Sequence, residues 1–468
     1  MKRAKIVCTL GPASANERVL RRMIDAGLDV VRLNFSHGAH EDHKETIRLV
    51  RRVSEEARRP VAIMQDLQGP KIRVGVLESA LNLAEGDEIT LASGLDADAP
   101  AIPTTYENLG RDVSSGDRLL LDDGKIELRV IKVDGGNVGA TVVVGGMLSS
   151  NKGINLPGVQ VSASTFTDKD QEDLRFGVEN EVDYVAMSFV RAPADIGVVK
   201  REARNWGAEI PVIAKLERSE AVEALDEILE VADGVMVARG DLGVEMAPEQ
   251  VPVLQKKIIA AANTAGVFVI TATQMLESMT QNPRPTRAEA SDVANAIYDG
   301  TDAVMLSGET AVGSYPVETV EMMSRIISEA EAGVGERASE HPRSRATGSF
   351  PDAIGHAATM AANDVGAKAI VAFTQSGATA RLISKRRPET PIVAFTPDVK
   401  ISRQLSLCWG TESRLIEAAE DTDDMIREVE SRLLVEGRVH VGENLVILSG
   451  APVTARAETN LLKLHRVG

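Results

Sequence analysis

Eight short aliphatic runs punctuate this chain: "KIVCTL", "DVVRLNF", "VAIMQDL", "DYVAMSFV", "IPVIAKLE", "GVMVARG", "VFVITATQ" and "DAVMLSG", with helical segments between them. Continuous apolar strands of this kind are buried on both faces, and strands that alternate with helices pair in parallel. Eight such units predict an α/β fold built on a closed (β/α)8 TIM barrel, whose chemistry sits where the strands end.

The third and fourth runs are far apart. From about Lys71 to Leu156 the texture changes to Gly- and Asp-rich turns around short strands, as in "GKIELRVIKVDGGNVGATVVVGG". Ile126, Leu128 and Val130 alternate with charged residues, and "DGGN" carries hairpin turn chemistry. A small β-barrel inserted there would hang over the catalytic face as a lid. Near Ser339 a polar linker, "ASEHPRSRATGSFP", precedes a helix from about Asp352 and the strands "AIVAFT" and "PIVAFT", the order of a doubly wound α/β domain. The expected division is therefore a discontinuous barrel of residues 1–70 and 157–338, a lid of 71–156 and a C-terminal domain of 339–468, which suits 468 residues at ~150 per domain.

The net charge of −17 argues against a nucleic-acid binder, since phosphate contacts need clustered lysine and arginine. Cys8 and Cys408 supply neither a disulfide framework nor a metal pattern, which favours a reducing cytoplasm. No apolar run reaches the ~18 residues of a membrane span. The opening "MKRAKIVCTLGPASA" has too short an apolar stretch for a secretion signal and is predicted as the first strand. Helix signals include Ser14 three residues before Glu17, Gly27 at a C-cap position, and Thr167 three residues before Asp170.

The strand ends are rich in polar groups. Strand two ends in Arg32, Asn34, Ser36 and His37, and strand three in Asp66 with Arg73 shortly after. Strand five ends in Lys215 and Glu217, strand six in Arg239 and Asp241, strand seven in Thr273 and Gln274, strand eight in Ser307 and Glu309. Lys215 and Glu217, two residues apart, share a strand face and project into the barrel mouth, with Asp241 nearby on the next strand. Two carboxylates from adjacent strands form a hard-oxygen site of the kind Mg²⁺ accepts, and an ammonium beside them would balance a transferring phosphoryl group. Taken singly, these residues read first as a strand-end salt bridge and a cap on the helix after "RGDLG", and it is their concentration at successive strand ends that points to chemistry. His37, His40 and His43 suggest a metal cluster at first sight, but His40 and His43 fit a solvated helix start. Neither GxxxxGK[ST] nor GxGxxG is present, so phosphates would be held by side chains, metal and helix ends.

"RLNFSHG", "DLQGPKIR", "NKGINLPG", "IAKLE", "MVARGDLGVE", "TATQMLESM", "PRPTRAEASDVANAIYDGTDAVMLSGETAVGSYP" and "TQSGATAR" occur in the order found in pyruvate kinases, which the chain resembles from end to end. The resemblance implies a phosphotransferase that passes the phosphoryl group of phosphoenolpyruvate to ADP, giving pyruvate and ATP as the final step of glycolysis. It implies Mg²⁺ or Mn²⁺ on Glu217 and Asp241, with Lys215 stabilising the transferring phosphoryl and the enolate. Phosphates would be oriented by Arg32 and Arg73, and the substrate carboxylate received by Thr273 and the amides of Gly240 and Asp241. Thr273 and Ser307, with water, match the proton-delivery network. Asn34, His37, Arg73 and Lys169 match the nucleotide side, and Asp123 a lid residue that reaches the site on closure.

Many members of that family read GPEIR and hold K⁺ around the matches of Asn34, Ser36, Asp66 and the Leu67 carbonyl. Here Lys71 stands in place of the glutamate, and its ammonium is expected to replace K⁺. The loop Thr374, Gln375, Ser376, Gly377, Ala378 and Thr379 matches the allosteric effector site. Gln375, and a final loop "SGAPVTARAETN" lacking the glycine-rich, tryptophan-bearing form, favour a sugar monophosphate or AMP over fructose 1,6-bisphosphate. A homotetramer in the cytoplasm is expected, with no nucleic-acid or membrane partner. Two other readings are an aldolase-like phosphoenolpyruvate barrel, which would not need Lys169 or a nucleotide lid, and a silent sensor, which should have lost one of Lys215, Glu217, Asp241 or Thr273.

Overall fold

The computed structural model describes residues 2–94, 101–334, 348–417, 421–452 and 457–468. Strands Lys5–Thr9, Val30–Asn34, Ala62–Asp66, Tyr184–Met187, Val212–Leu216, Gly234–Ala238, Phe268–Ala272 and Ala303–Leu306, here strands one to eight, are parallel and close in chain order, the eighth on the first. Each coincides with one aliphatic run. Alternation explains the runs: Val7, Val30, Met64, Ile213 and Met305 fill the interior, while Ile6, Val31, Ile63, Val212 and Val304 pack outward against helices. The same period carries Thr9, Arg32, Asp66, Ser188, Lys215 and Glu217 inward at the top.

The barrel floor is stapled by four aspartates. Asp29, Asp183, Asp233 and Asp302 each precede an even-numbered strand and accept the N–H of Ile6, Ile63, Val212 or Val269 on the strand before, at 2.8–2.9 Å. The aspartate N–H returns a bond to the same residue's carbonyl at 2.9–3.0 Å. The barrel is thus four tied pairs of strands.

Two of these carboxylates also seat the C-terminal domain. Its sheet runs Thr411–Leu415, Ile392–Thr396, Ala369–Phe373, Asn444–Gly450, Thr459–Arg466, parallel except for the last strand, as a doubly wound domain requires. From this domain Arg403 reaches Asp183 at 2.8 Å, while Lys385 and Arg387 both reach Asp302. Arg387 approaches Asp302 Oδ1 at 2.8 Å off the hydrogen-bonding axis, an ion pair rather than a hydrogen bond. Burial alone would push the Asp302 carboxyl up, but Arg387 and Lys385 outweigh it and hold it below the ordinary carboxylate range.

The insertion forms a six-stranded sheet with its own core around Leu91, Leu119, Leu128 and Val138. Bridges from Arg73 to Gly153 and from Val74 to Thr104 join its two edges, closing it into a small barrel. The Asp134–Asn137 pair closes the "DGGN" hairpin, with Gly135 at φ 58°.

Thr167 and Asp170 form the expected capping box on the helix Asp168–Glu179, and Gly27 takes φ 118° at a C-cap. Ser14 does not cap. Asn16 accepts from Val19 N instead, and the buried Ser14 hydroxyl faces the Gly11 amide, because the turn before the helix Glu17–Ala26 runs two residues longer than the spacing suggested. The linker from Ser339 lies mostly outside the described residues, and so do residues 453–456 of the final loop. Both cysteines are buried and unpaired, and no helix among the described residues is long and apolar enough to cross a membrane.

Candidate active site

Lys215 is the centre of the barrel mouth. Its Nζ stands 2.9 Å from Glu217 Oε1, 3.2 Å from Asp66 Oδ1 and 2.6 Å from Ser188 Oγ. Burial by itself would lower the lysine, but Asp66 and Glu217 overcome it and the ammonium is held above its ordinary range. Arg32 completes the layer, with Nε 2.6 Å from Asp66 Oδ2 and Nη1 2.9 Å from Thr9 Oγ1. Burial likewise opposes Asp66, yet Lys215 and Arg32 pull its carboxyl below the ordinary range.

Glu217 behaves differently. Burial pushes it up to about 7; Lys215 works against the rise and Asp241 adds to it. Its other oxygen accepts the Phe189 N–H at 2.8 Å, an amide aimed by the left-handed Phe189 backbone at φ 56°. Gly69, at φ 67°, makes room for that ring, since a Cβ there would stand 2.9 Å from Phe189 Cδ2. A buried carboxyl raised by a neighbouring carboxylate is relieved by a proton or a cation, and two hard-oxygen donors fit a divalent ion. Among the described residues no group of three or more His, Cys, Asp or Glu is arranged as a metal cluster, so other ligands would be substrate and water. Asp241 lies inside the helix Arg239–Glu245 and makes no side-chain cap, which removes the capping alternative.

Thr273 follows strand seven at φ 68°, its Oγ1 accepting the Gly240 N–H at 2.8 Å. On the next strand the Ser307 N–H donates to Glu309 Oε2 at 2.7 Å, and Glu309 Oε1 takes the Leu276 amide at 3.1 Å, so this fully buried carboxylate is a loop brace.

Arg73 Nη1 bonds the Asn151 carbonyl at the lid base, His37 is exposed, and Lys169 pairs with Asp173 and the Phe35 carbonyl. His40 and His43 are no simple solvated helix start either. His43 stacks on Phe35 with centroids 4.1 Å apart, and His40 meets Asp173 at 2.6 Å. Asn34 Oδ1 accepts the Ser36 amide, and the Leu67 carbonyl accepts the Ser188 hydroxyl at 2.7 Å. Lys71 shares a cleft of about 530 Å³ between lid and barrel with Asn155, Arg218, Asp241 and Glu245. The turn carrying Asp123 lies beside this cleft, where a Cβ on Gly124 would be 4.0 Å from Val244.

Sequence reasoning missed Thr9 and Ser188, which close strands one and four and complete the inward layer. A second cleft of about 560 Å³ is lined by Thr374, Gln375, Ser376, Ala378 and Thr379 together with Glu458 and Thr459, the last hydrogen-bonded to Thr379.

The comparisons with known proteins agree with this geometry. The model of the pyruvate kinase barrel domain matches residues 1–320, and that of the pyruvate kinase alpha/beta domain residues 352–465. Pyruvate kinase 2 of Synechocystis is 47% identical over the whole chain and 79% of its own length. Pyruvate kinase of Mycobacterium tuberculosis is 46% identical over the whole chain and 99% of its own length. A crystal structure of a pyruvate kinase from Cryptosporidium parvum, 36% identical, superposes with a TM-score of 0.91 over all of this chain and 96% of that one. With both family models covering the barrel and the C-terminal domain and relatives nearly half identical over the whole chain, this chain belongs to the pyruvate kinase family.

Proposed function

We propose that the Lys215, Glu217 and Asp241 group carries phosphoryl transfer in this enzyme, on the observation that the Lys215 ammonium stands 2.9 Å from Glu217 and 3.2 Å from Asp66, both buried, with Asp241 following the adjacent strand. The family works with a divalent metal; here Glu217 and Asp241 would hold it as Mg²⁺ or Mn²⁺. When bound, that ion supplies positive charge to the oxygens of the substrate and the moving phosphoryl group. Lys215 stabilises charge on the phosphoryl and on the enolate oxygen left behind. Arg32 orients the phosphate from the other side of Asp66. The substrate carboxylate is received by Thr273 and the amides of Gly240 and Asp241, and the enolate carbon gains its proton through Thr273, Ser307 and water. Asn34, His37, Arg73 and Lys169 meet the nucleotide as the lid, with Asp123, closes and excludes water. A coupled assay for ATP from phosphoenolpyruvate and ADP tests this. It should show activity that disappears with a chelator and returns with Mg²⁺, and a chelator-resistant rate would sink the metal assignment.

Activity is expected to persist without K⁺. Asn34 Oδ1 and the Leu67 carbonyl already accept protein hydrogen bonds, Arg32 and Lys215 already face Asp66, and Lys71 adds a third positive charge in the adjoining cleft. Omitting K⁺ from the assay should leave kcat nearly unchanged; a large loss restored by K⁺ would refute the replacement.

The C-terminal domain binds an effector in this family. The cleft at Thr374–Thr379 suits one phosphate, and Glu458 on its rim disfavours a second, which supports a sugar monophosphate or AMP. Thermal-shift titration should give a larger rise with these than with fructose 1,6-bisphosphate, and no response to any would reject the pocket. A cytoplasmic homotetramer with boundaries at 70/71, 156/157 and 338/339 completes the proposal.

A further inference from the structure

Strand seven ends in a backbone its own sequence opposes. Thr273 and Gln274 adopt φ of 68° and 54°, a left-handed conformation that a β-branched residue enters only where its surroundings impose it. The surrounding group is Arg239. Its Nη2 donates to the Thr273 carbonyl at 2.6 Å, and its Nε to the Ala272 carbonyl at 3.2 Å. Nη2 also lies 2.9 Å from Met275 Sδ. On the far side Nη1 donates to Asp292 Oδ1 at 2.8 Å and Gln255 Oε1 at 3.3 Å, from the helices Arg287–Asp299 and Val251–Ala265. The next residue, Gly240, gives its N–H to the Thr273 hydroxyl. Consecutive residues at one strand end therefore grip both the backbone and the hydroxyl of Thr273.

We propose that Arg239 is a positioning residue for the reaction, holding the left-handed turn at Thr273 and so fixing the Thr273 hydroxyl beside the Gly240 amide. The inference rests on the reading of Thr273 as a substrate-side hydroxyl. A guanidinium is needed because its planar fork serves two carbonyls and a carboxylate at once, which a single ammonium cannot match. Released from the fork, Thr273 relaxes toward negative φ and its hydroxyl swings away. A displacement of order 1 Å at a reacting group costs about 10²-fold in rate.

The test is a double-mutant cycle of R239K and T273A, with D292N as a gentler disturbance of the fork. The readouts are kcat, KM for phosphoenolpyruvate, NMR exchange of pyruvate methyl protons with D₂O, and thermal unfolding. R239K should lower kcat about 10- to 100-fold and slow methyl exchange in proportion, with a smaller change in KM. Combined with T273A it should add almost nothing, and D292N should act in the same direction more weakly. Independent, multiplying effects of R239K and T273A would overturn the proposal, as would a folded R239K enzyme with parental kcat. If R239K fails to fold, D292N decides: its carboxylate is 37% exposed, and parental exchange and kcat in that variant would overturn the proposal. A T273A enzyme with parental kcat would instead sink the reading of Thr273, and this inference with it.

Discussion

Replacing Lys215 with methionine is expected to lower kcat about 10³-fold, the scale on which a cation serving a transferring phosphoryl group acts. The side chain keeps its length and loses its charge, so packing of the layer between strands three and five is largely preserved. Asp66 retains Arg32, but Glu217 loses the partner that opposes its protonation. Part of any loss could therefore arise from weaker metal binding. Measuring kcat across a Mg²⁺ titration separates the two: the deficit should survive saturation. A K215M enzyme within about tenfold of the parent at saturating Mg²⁺ would remove Lys215 from the chemistry.

The second large effect concerns stability. Asp302→Ala removes the one carboxylate that Lys385 and Arg387 share and leaves the Val269 N–H without its acceptor. Breaking a buried pair by removing one partner costs about 3–5 kcal/mol, because the remaining charge stays buried. Denaturant or thermal unfolding should show that loss. Lys385→Met is the control, since Asp302 keeps Arg387. Burial lowers the Lys385 ammonium to about 8, and Arg387 adds to the drop against the pull of Asp302. A lysine depressed in the folded state contributes stability that is present above its unfolded value near 10.5 and lost as pH falls through about 8. The parent should thus gain stability between these pH values, and K385M, which has no ammonium to titrate there, should lack that gain. An unchanged midpoint for D302A would mean that the interface is held elsewhere.

Much of the fold was legible because one rule, apolar runs bounded by polar ends, repeats eight times. The meeting of Lys215 and Glu217 was legible for the same reason, since they share a face by period alone. Thr9 and Ser188 escaped notice because a single hydroxyl after an apolar run looks like an ordinary turn, and only strand register sets it beside Arg32 or Lys215. The floor aspartates were written in "LDVV", "VDYV", "ADGV" and "TDAV", yet an aspartate before a strand also reads as a loop residue. Ser14 shows the opposite failure, a correct spacing with the cap made two residues later. Arg73, His37 and Lys169 were picked out by motif, but their contacts to Asn151, His43, Phe35 and Asp173 follow from packing that no local pattern encodes.

Tying the barrel two strands at a time has a mechanical outcome. The acid pair of Glu217 and Asp241 rides on the fifth and sixth strands, whose staple, Asp233, takes its cation from Lys200 within the barrel. The C-terminal domain instead presses on Asp183 and Asp302, beneath the strands that flank the lid and those that carry Thr273 and Ser307. The outer domain's ion pairs thus load the strand pairs tied by Asp183 and Asp302, whereas the base of the fifth strand receives from it a hydrogen bond, Lys400 to the Glu209 carbonyl at 3.0 Å.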